Sequence, residues 1–214
     1  MIRPMTRRIS MAIFALLIAA PLSAQVADAS RVRLDLSTNA NDPDDVPDVT
    51  VVAADQGFQV NTGPATVVWD DANTASGEYT LSAKFTLLEP SGHNNYYGLI
   101  YGGGALDSES QNYLYFLIGQ NGSYIVKHRA NDETVHDIQG RTPSDAVVQP
   151  DANGTCMNEL EVRVGAEETE FVINGTVVYT APKSGMAARS DGIYGVRINH
   201  RIPGVVVQEL RATG

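Results

Sequence analysis

The chain has 214 residues, with 15 Lys+Arg against 25 Asp+Glu and a formal net charge of -10. That excess of acids excludes an electrostatic grip on phosphate backbones, so no nucleic-acid partner is expected. With 43% hydrophobic and 19% charged residues, there is enough apolar material for one domain with a sizeable core and too little charge for disorder.

Arg3, Arg7 and Arg8 precede Met11 to Ala20, a ten-residue run dominated by apolar side chains, and small residues follow. This is the order of an export signal, and the run is short of the roughly 20 residues needed to span a bilayer core. Cleavage after Ala24 and cleavage as late as Ala29, where Ala27 and Ala29 form an A-x-A-like pair, both remain open. The expected organisation is a signal peptide over 1–24 and a single β-sandwich domain over 30–214. No second apolar run follows, so the product is expected to be a soluble bacterial protein, periplasmic or extracellular, with no membrane span. Its oligomeric state is left open.

Ala40 to Asp48 reads as an Asp-rich loop with Pro43 and Pro47. From there the pattern is β throughout. Strands are predicted at 65–69, 79–87, 96–101, 112–118, 124–129, 160–164, 170–173, 176–179, 193–198 and 205–210, rich in β-branched and aromatic residues and bounded by Gly, Asn, Asp or Pro. Asn121-Gly122 and Asn174-Gly175 predict two-residue hairpin turns, because both central positions need positive φ. The triplets Asn121-Gly-Ser123, Asn153-Gly-Thr155 and Asn174-Gly-Thr176 match the N-glycosylation pattern, but turn chemistry accounts for them more simply. Residues 131–157, with Gly140, Pro143, Pro150 and Gly154, read as the longest irregular stretch. Cys156 is the only cysteine, so an internal disulfide is excluded and the core must supply the stability.

Many short strands, polar turns and no helical layer leave a two-sheet sandwich or a barrel. The sandwich is favoured: Leu114 to Ile118 is apolar on both faces, while Glu159, Glu161 and Arg163 alternate with Leu160, Val162 and Val164 like a strand with one wet face. The order Tyr97-Gly-Leu-Ile-Tyr-Gly-Gly103, Tyr113-Leu-Tyr-Phe-Leu-Ile118, Asn121-Gly122, Tyr124-Ile-Val-Lys127, Asn158-Glu-Leu-Glu-Val162, Phe171-Val-Ile-Asn-Gly175 and Gly192-Ile-Tyr-Gly-Val196 resembles the concanavalin A-like lectin/glucanase superfamily. Within it, the chain is similar to laminin-G-like jelly rolls and to bacterial secreted 3-keto-disaccharide hydrolase domains, over roughly residues 50–212. The resemblance implies an all-β, two-sheet antiparallel jelly roll with a ligand or carbohydrate site on a concave sheet. It does not extend to the E-x-D-x-x-E strand of laminarinase-type enzymes, since no Glu here has an Asp two residues later.

Other carboxylates, Asp70-Asp71, Asp107/Glu109, Glu159/Glu161 and Glu167/Glu168/Glu170, read first as solvated strand faces and turns. No zinc-type histidine spacing, serine elbow or phosphate loop is present. No cofactor is expected; Asp42, Asp44, Asp45 and Asp48, or Asp70-Asp71, are where calcium would be sought. Lys127 and Arg129 alternate with Val126 and His128, and Arg197 and Asn199 with Val196 and Ile198, so each strand sends two polar side chains from one face. If those faces share a sheet, they form a hydrogen-bonding patch rimmed by His93 and His200. Tyr97, Tyr101, Tyr113 and Tyr115 are its expected sugar-stacking rings. The leading expectation is a non-catalytic carbohydrate-binding protein. The alternatives are a glycoside hydrolase of the 3-keto-disaccharide type and an envelope structural or interaction module.

Overall fold

The computed structural model describes residues 30–35 and 49–214. The chain enters with β1 (Arg31–Asp35), β2 (Thr50–Ala54), β3 (Gly57–Asn61), β4 (Ala65–Ala75) and β5 (Tyr79–Leu87). It continues through β6 (Tyr96–Gly104), β7 (Asn112–Gly119), β8 (Ser123–Arg129), β9 (Val135–Pro143) and β10 (Cys156–Val164). β11 (Glu168–Ile173), β12 (Thr176–Pro182), one 3₁₀ turn at Gly185–Ala188, β13 (Gly192–Ile198) and β14 (Val205–Thr213) complete it. The strands form two antiparallel sheets, β1-β4-β13-β6-β7-β8-β9 and β12-β11-β10-β5-β14-β3-β2. This is the expected jelly-roll sandwich.

Alternation along the strands builds the core. Leu114, Phe116 and Ile118 of β7 and Tyr97, Leu99 and Tyr101 of β6 point between the sheets, where they meet Leu81, Phe85, Leu160 and Phe171 of the second sheet. Rings bridge the layers: the Phe116 and Phe171 centroids lie 5.2 Å apart and those of Phe85 and Tyr97 6.0 Å. On β10 the apolar Leu160, Val162 and Val164 are buried and the intervening Glu159, Glu161 and Arg163 are half-exposed, as the alternation requires. The first sheet differs, because its outward face is also buried: Val67, Trp69, Tyr96, Ile100, Tyr113, Tyr115, Leu117 and Ile125 pack there as a second apolar cluster with Leu106.

Two expectations are corrected. The stretch 131–157 is not wholly irregular: Val135–Pro143 is β9 and β10 begins at Cys156. Among the described strands β9 is an edge, hydrogen-bonded only to β8, so its outer flank carries polar residues and no apolar alternation marks it. The edge strands β1 and β2, and β3 beside β2, escaped the periodicity reading for a similar reason. The Asn-Gly turns also differ from each other. At Asn174-Gly175, Ile173 pairs with Thr176 and both central residues have positive φ, 49° and 79°, the two-residue turn expected. At Asn121-Gly122, Gly119 pairs with Ser123, so the loop has one more residue, and within Gln120–Gly122 only Gly122 is at positive φ.

Asn174 does more than turn the chain. Its Oδ1 accepts from the Glu159 amide at 2.8 Å, and its Nδ2 donates to the Ala146 carbonyl and to Asn158 Oδ1, each at 2.8 Å. Asn121 Oδ1 accepts only from Ser123 Oγ. Asn174→Ala is therefore expected to cost about 2 kcal/mol of stability, from lost hydrogen bonds and a strained left-handed φ, and Asn121→Ala about 0.5 kcal/mol. Urea unfolding of both variants checks this, and equal losses would contradict the turn assignment.

Candidate functional site

The outward face of the first sheet is curled. β1 and β8 are five strand positions apart in the sheet, roughly 24 Å if it were flat, yet Arg129 Nη2 at the end of β8 lies 3.6 Å from Asp35 Oδ2 at the end of β1. This face is therefore a trough, and Asp35 lies at one end of it.

Asp35 is 4% exposed in its side chain and is enclosed by donors. Arg197 Nη1 and Arg129 Nη2 approach Oδ2, while Arg33 Nε at 3.0 Å and Gln111 Nε2 at 3.2 Å donate to Oδ1. Arg33 and Gln111 also bond Asp132, and Arg197 Nη1 donates to Tyr113 Oη at 2.7 Å. Burial opposes ionisation of Asp35, but Arg197, then Arg129 and the Gln111 hydrogen bond, outweigh it and hold the carboxyl at about 2. Tyr113 is pushed up to about 12, by burial first, with Arg197 pulling the other way.

Beside this cluster lies an open depression of about 460 Å³. Tyr96 from β6, Tyr115 from β7, Ile125 and Lys127 from β8, and Arg197 from β13 line it, with Asn94, Asn95, Asn199, Asp137 and Arg141 around its margin. Lys127 Nζ is paired with Asp137 at 2.9 Å. The Arg197 guanidinium lies 5.7 Å from the Tyr115 ring centroid, and Arg141 stands over Tyr96 at the same distance. Asn199 Oδ1 is closed off from solvent and accepts from no group among the described residues.

Of the residues singled out from sequence, Tyr115, Lys127, Arg197 and Asn199 line the depression together. Tyr113 and Arg129 lie in the ionic cluster next to it; Tyr113 is fully buried and presents no ring face. Tyr97 and Tyr101 are a correction: both are 1% exposed and face between the sheets, Tyr97 Oη lying 3.7 Å from Cys156 Sγ. In an all-apolar strand such as Tyr96-Tyr-Gly-Leu-Ile-Tyr101, either parity satisfies the pattern, and it is Tyr96 that faces outward. His93 and His200 are set aside from the lining, their rings 5.8 Å apart. His128 faces the core, and burial, then Arg189 and His136, lower its pKa.

Sequence reasoning missed Tyr96, Asp137 and Arg141 and, of the ionic cluster, Asp35, Arg33, Gln111 and Asp132. The available signal was Arg33 and Asp35 sharing one face of a short alternating stretch, but nothing local shows that they meet residues 94 and 162 positions away. The carboxylates weighed for catalysis are elsewhere. Glu159 and Glu161 face outward from the second sheet, Asp71 pairs with Arg31 at 2.5 Å, and Asp70 accepts from the Ala72 amide. No group of three metal-ligating side chains occurs among the described residues; Asp42, Asp44, Asp45 and Asp48 lie outside them. No helix among the described residues is long and apolar enough to cross a membrane. A separate cavity of about 430 Å³, lined by Phe58, Val68, Val207 and Leu210 among others, opens at the sandwich edge beside Ser30.

No family model and no curated protein matches the sequence. Solved structures do match in fold. The carbohydrate binding module CBM66 from Bacillus subtilis superposes with a TM-score of 0.59 at 12% identity, over 78% of this chain and 92% of that one. A Bacillus subtilis protein of unknown function with a galectin-like fold gives 0.58 at 10% identity, over 90% and 92%. The metal-free carbohydrate recognition domain of Emp46p gives 0.53 at 12% identity, over 90% and 93%. At these identities the likeness is one of fold, the two-sheet jelly-roll sandwich, and it is consistent with the lectin-like fold that the motif order resembles.

The Asp35 cluster generates a pH prediction. The folded value lies below the unfolded one, so the stabilisation is complete above about pH 4 and is lost as pH falls toward 2; its size is about 2 kcal/mol. Asp35→Asn is expected to be less stable than the native protein by at least that amount at pH 7, with the gap narrowing between pH 5 and 2. Urea unfolding across this range reads it, and a gap independent of pH would show that the arginines do not hold a charged Asp35.

Proposed function

We propose that this is an exported carbohydrate-binding protein whose ligand occupies the depression on the first sheet and leaves it uncleaved. The observation that carries the reading is the lining itself: amide and cationic groups, with the accessible margins of two largely buried tyrosines, converge on one open depression. Sugars present many hydroxyls, and a lining rich in amide and cationic groups meets them, with the tyrosine margins as its apolar part. The fold is compatible, since CBM66 and the Emp46p domain are by name a carbohydrate binding module and a carbohydrate recognition domain.

Two features speak for binding over hydrolysis. A glycosidase sets two carboxyls to work, one with a raised pKa as the acid. Among the described residues that line the depression the only carboxylate is Asp137, and the buried Asp35 beside it is held at about 2, so Asp35 cannot supply a proton near neutrality. Export rests on the basic, apolar and small-residue order of residues 1–29. N-terminal sequencing of protein recovered outside the inner membrane tests it; an N-terminus at Met1 would refute processing.

Thermal-shift and calorimetric screens against an oligosaccharide panel are expected to find a ligand that raises the unfolding midpoint and is recovered intact. Asn199→Ala and Lys127→Ala should weaken it at least about 10-fold, whereas Tyr97→Phe, in the core, should leave affinity unchanged. Silence across the panel refutes carbohydrate binding, and recovery of cleaved sugar refutes the non-catalytic reading.

A further inference from the structure

Among the described residues, the charged side chains lining the depression are Lys127, Arg141 and Arg197 against Asp137, on a chain whose formal net charge is -10. A positive site on an acidic protein draws anions selectively, because the rest of the surface repels them. Each cation is committed to a different degree. Lys127 is neutralised by Asp137 at 2.9 Å. Arg141 has no ion pair among the described residues and rests over the Tyr96 ring.

Arg197 is the most informative. Both of its hydrogen bonds, to Asp35 and to Tyr113, use Nη1; no described residue bonds its Nε or Nη2, although it lines the depression. Those two nitrogens form the fork of a guanidinium that matches a carboxylate by two parallel hydrogen bonds. Close by in the lining, Asn199 Oδ1 accepts from no described residue, and a turn of this amide toward the depression lets a sugar hydroxyl donate to it at the same time. An unfilled acceptor of this kind is costly to leave without a partner.

Building on the carbohydrate reading, we propose that the site selects an acidic saccharide, a uronate-type sugar whose carboxylate meets the Nε–Nη2 edge of Arg197 with Arg141 flanking it and whose hydroxyl donates to Asn199 Oδ1. Asp137 sets the limit on affinity, since it places a like charge at the margin.

The test uses the full-length mature protein and calorimetry with an oligogalacturonate, its methyl ester and a sulfated neutral oligomer of the same length. The acid form is expected to bind at least about 10-fold more tightly than the ester, a preference that falls as salt rises. Arg141→Gln, exposed and outside the buried cluster, should weaken the acid form about 5-fold and the ester by clearly less. Asp137→Asn should strengthen the acid form. Equal binding of acid and ester overturns acid selection while carbohydrate binding stands. Binding of the sulfated oligomer as tight as the acid form shows general anion attraction and overturns the carboxylate fork. Failure of the acid form to bind while neutral sugars from the panel do bind overturns the proposal alone, and failure of every saccharide overturns the carbohydrate reading with it.

Discussion

The carboxylate of Asp35 fixes the shape of the face on which the site lies. It is supplied by an edge strand and received by arginines from β13 and β8 as well as by Arg33 from its own strand, so it ties together strands that a flat sheet would keep far apart. Curvature of this kind costs hydrogen-bond geometry and places polar groups against one another. Here the cost is offset by charge: three guanidiniums brought together without an acid would repel and would be desolvated for no return. Because the acid is itself buried, the arrangement is sensitive to the loss of either partner. Removing Asp35 leaves clustered cations, and removing Arg197 leaves a buried anion with weaker support.

The two outward faces of the sandwich illustrate a division of labour. On the second sheet, outward positions are short ion pairs such as Arg163 with Glu161 at 2.9 Å and Lys84 with Glu209 at 2.6 Å, partly exposed and worth little each. On the first sheet the outward positions carry a second apolar cluster instead, which packs the bases of Tyr96 and Tyr115 and leaves them little freedom. A binding surface benefits from that rigidity, because side chains already held in place lose less entropy when a ligand arrives.

How much of this was legible in the sequence follows from the range of each interaction. Strand existence and the hairpin at Asn174-Gly175 depend on neighbours in the chain, and alternation or turn chemistry reveals them. Lys127, Arg197 and Asn199 were legible because each interrupts an apolar strand at a parity that only a solvent-facing or site-facing side chain satisfies. The face of β6 was not, since Tyr96 and Tyr97 are equally apolar and adjacent, and only the position of the second sheet distinguishes them. β9 was invisible because an edge strand need not be apolar on either side. The Asp35 cluster was beyond reach for a topological reason: β1 lies at one end of the sheet order and β8 next to the other end, and their meeting depends on curvature that no local pattern encodes.

The same curvature explains why Arg197 must be an arginine. A lysine at that position would carry its three donors on one nitrogen, without a second, planar edge to face away from Asp35. A guanidinium divides its donors between two directions: Nη1 turns toward Asp35 and Tyr113, and the opposite edge is left for the trough. The buried carboxylate thus orients a group that lines the depression. It does so with a charge that stays negative at any pH near neutrality, because its pKa is held at about 2. The orientation of the Arg197 guanidinium is therefore insensitive to the acidity of the surroundings across the neutral range.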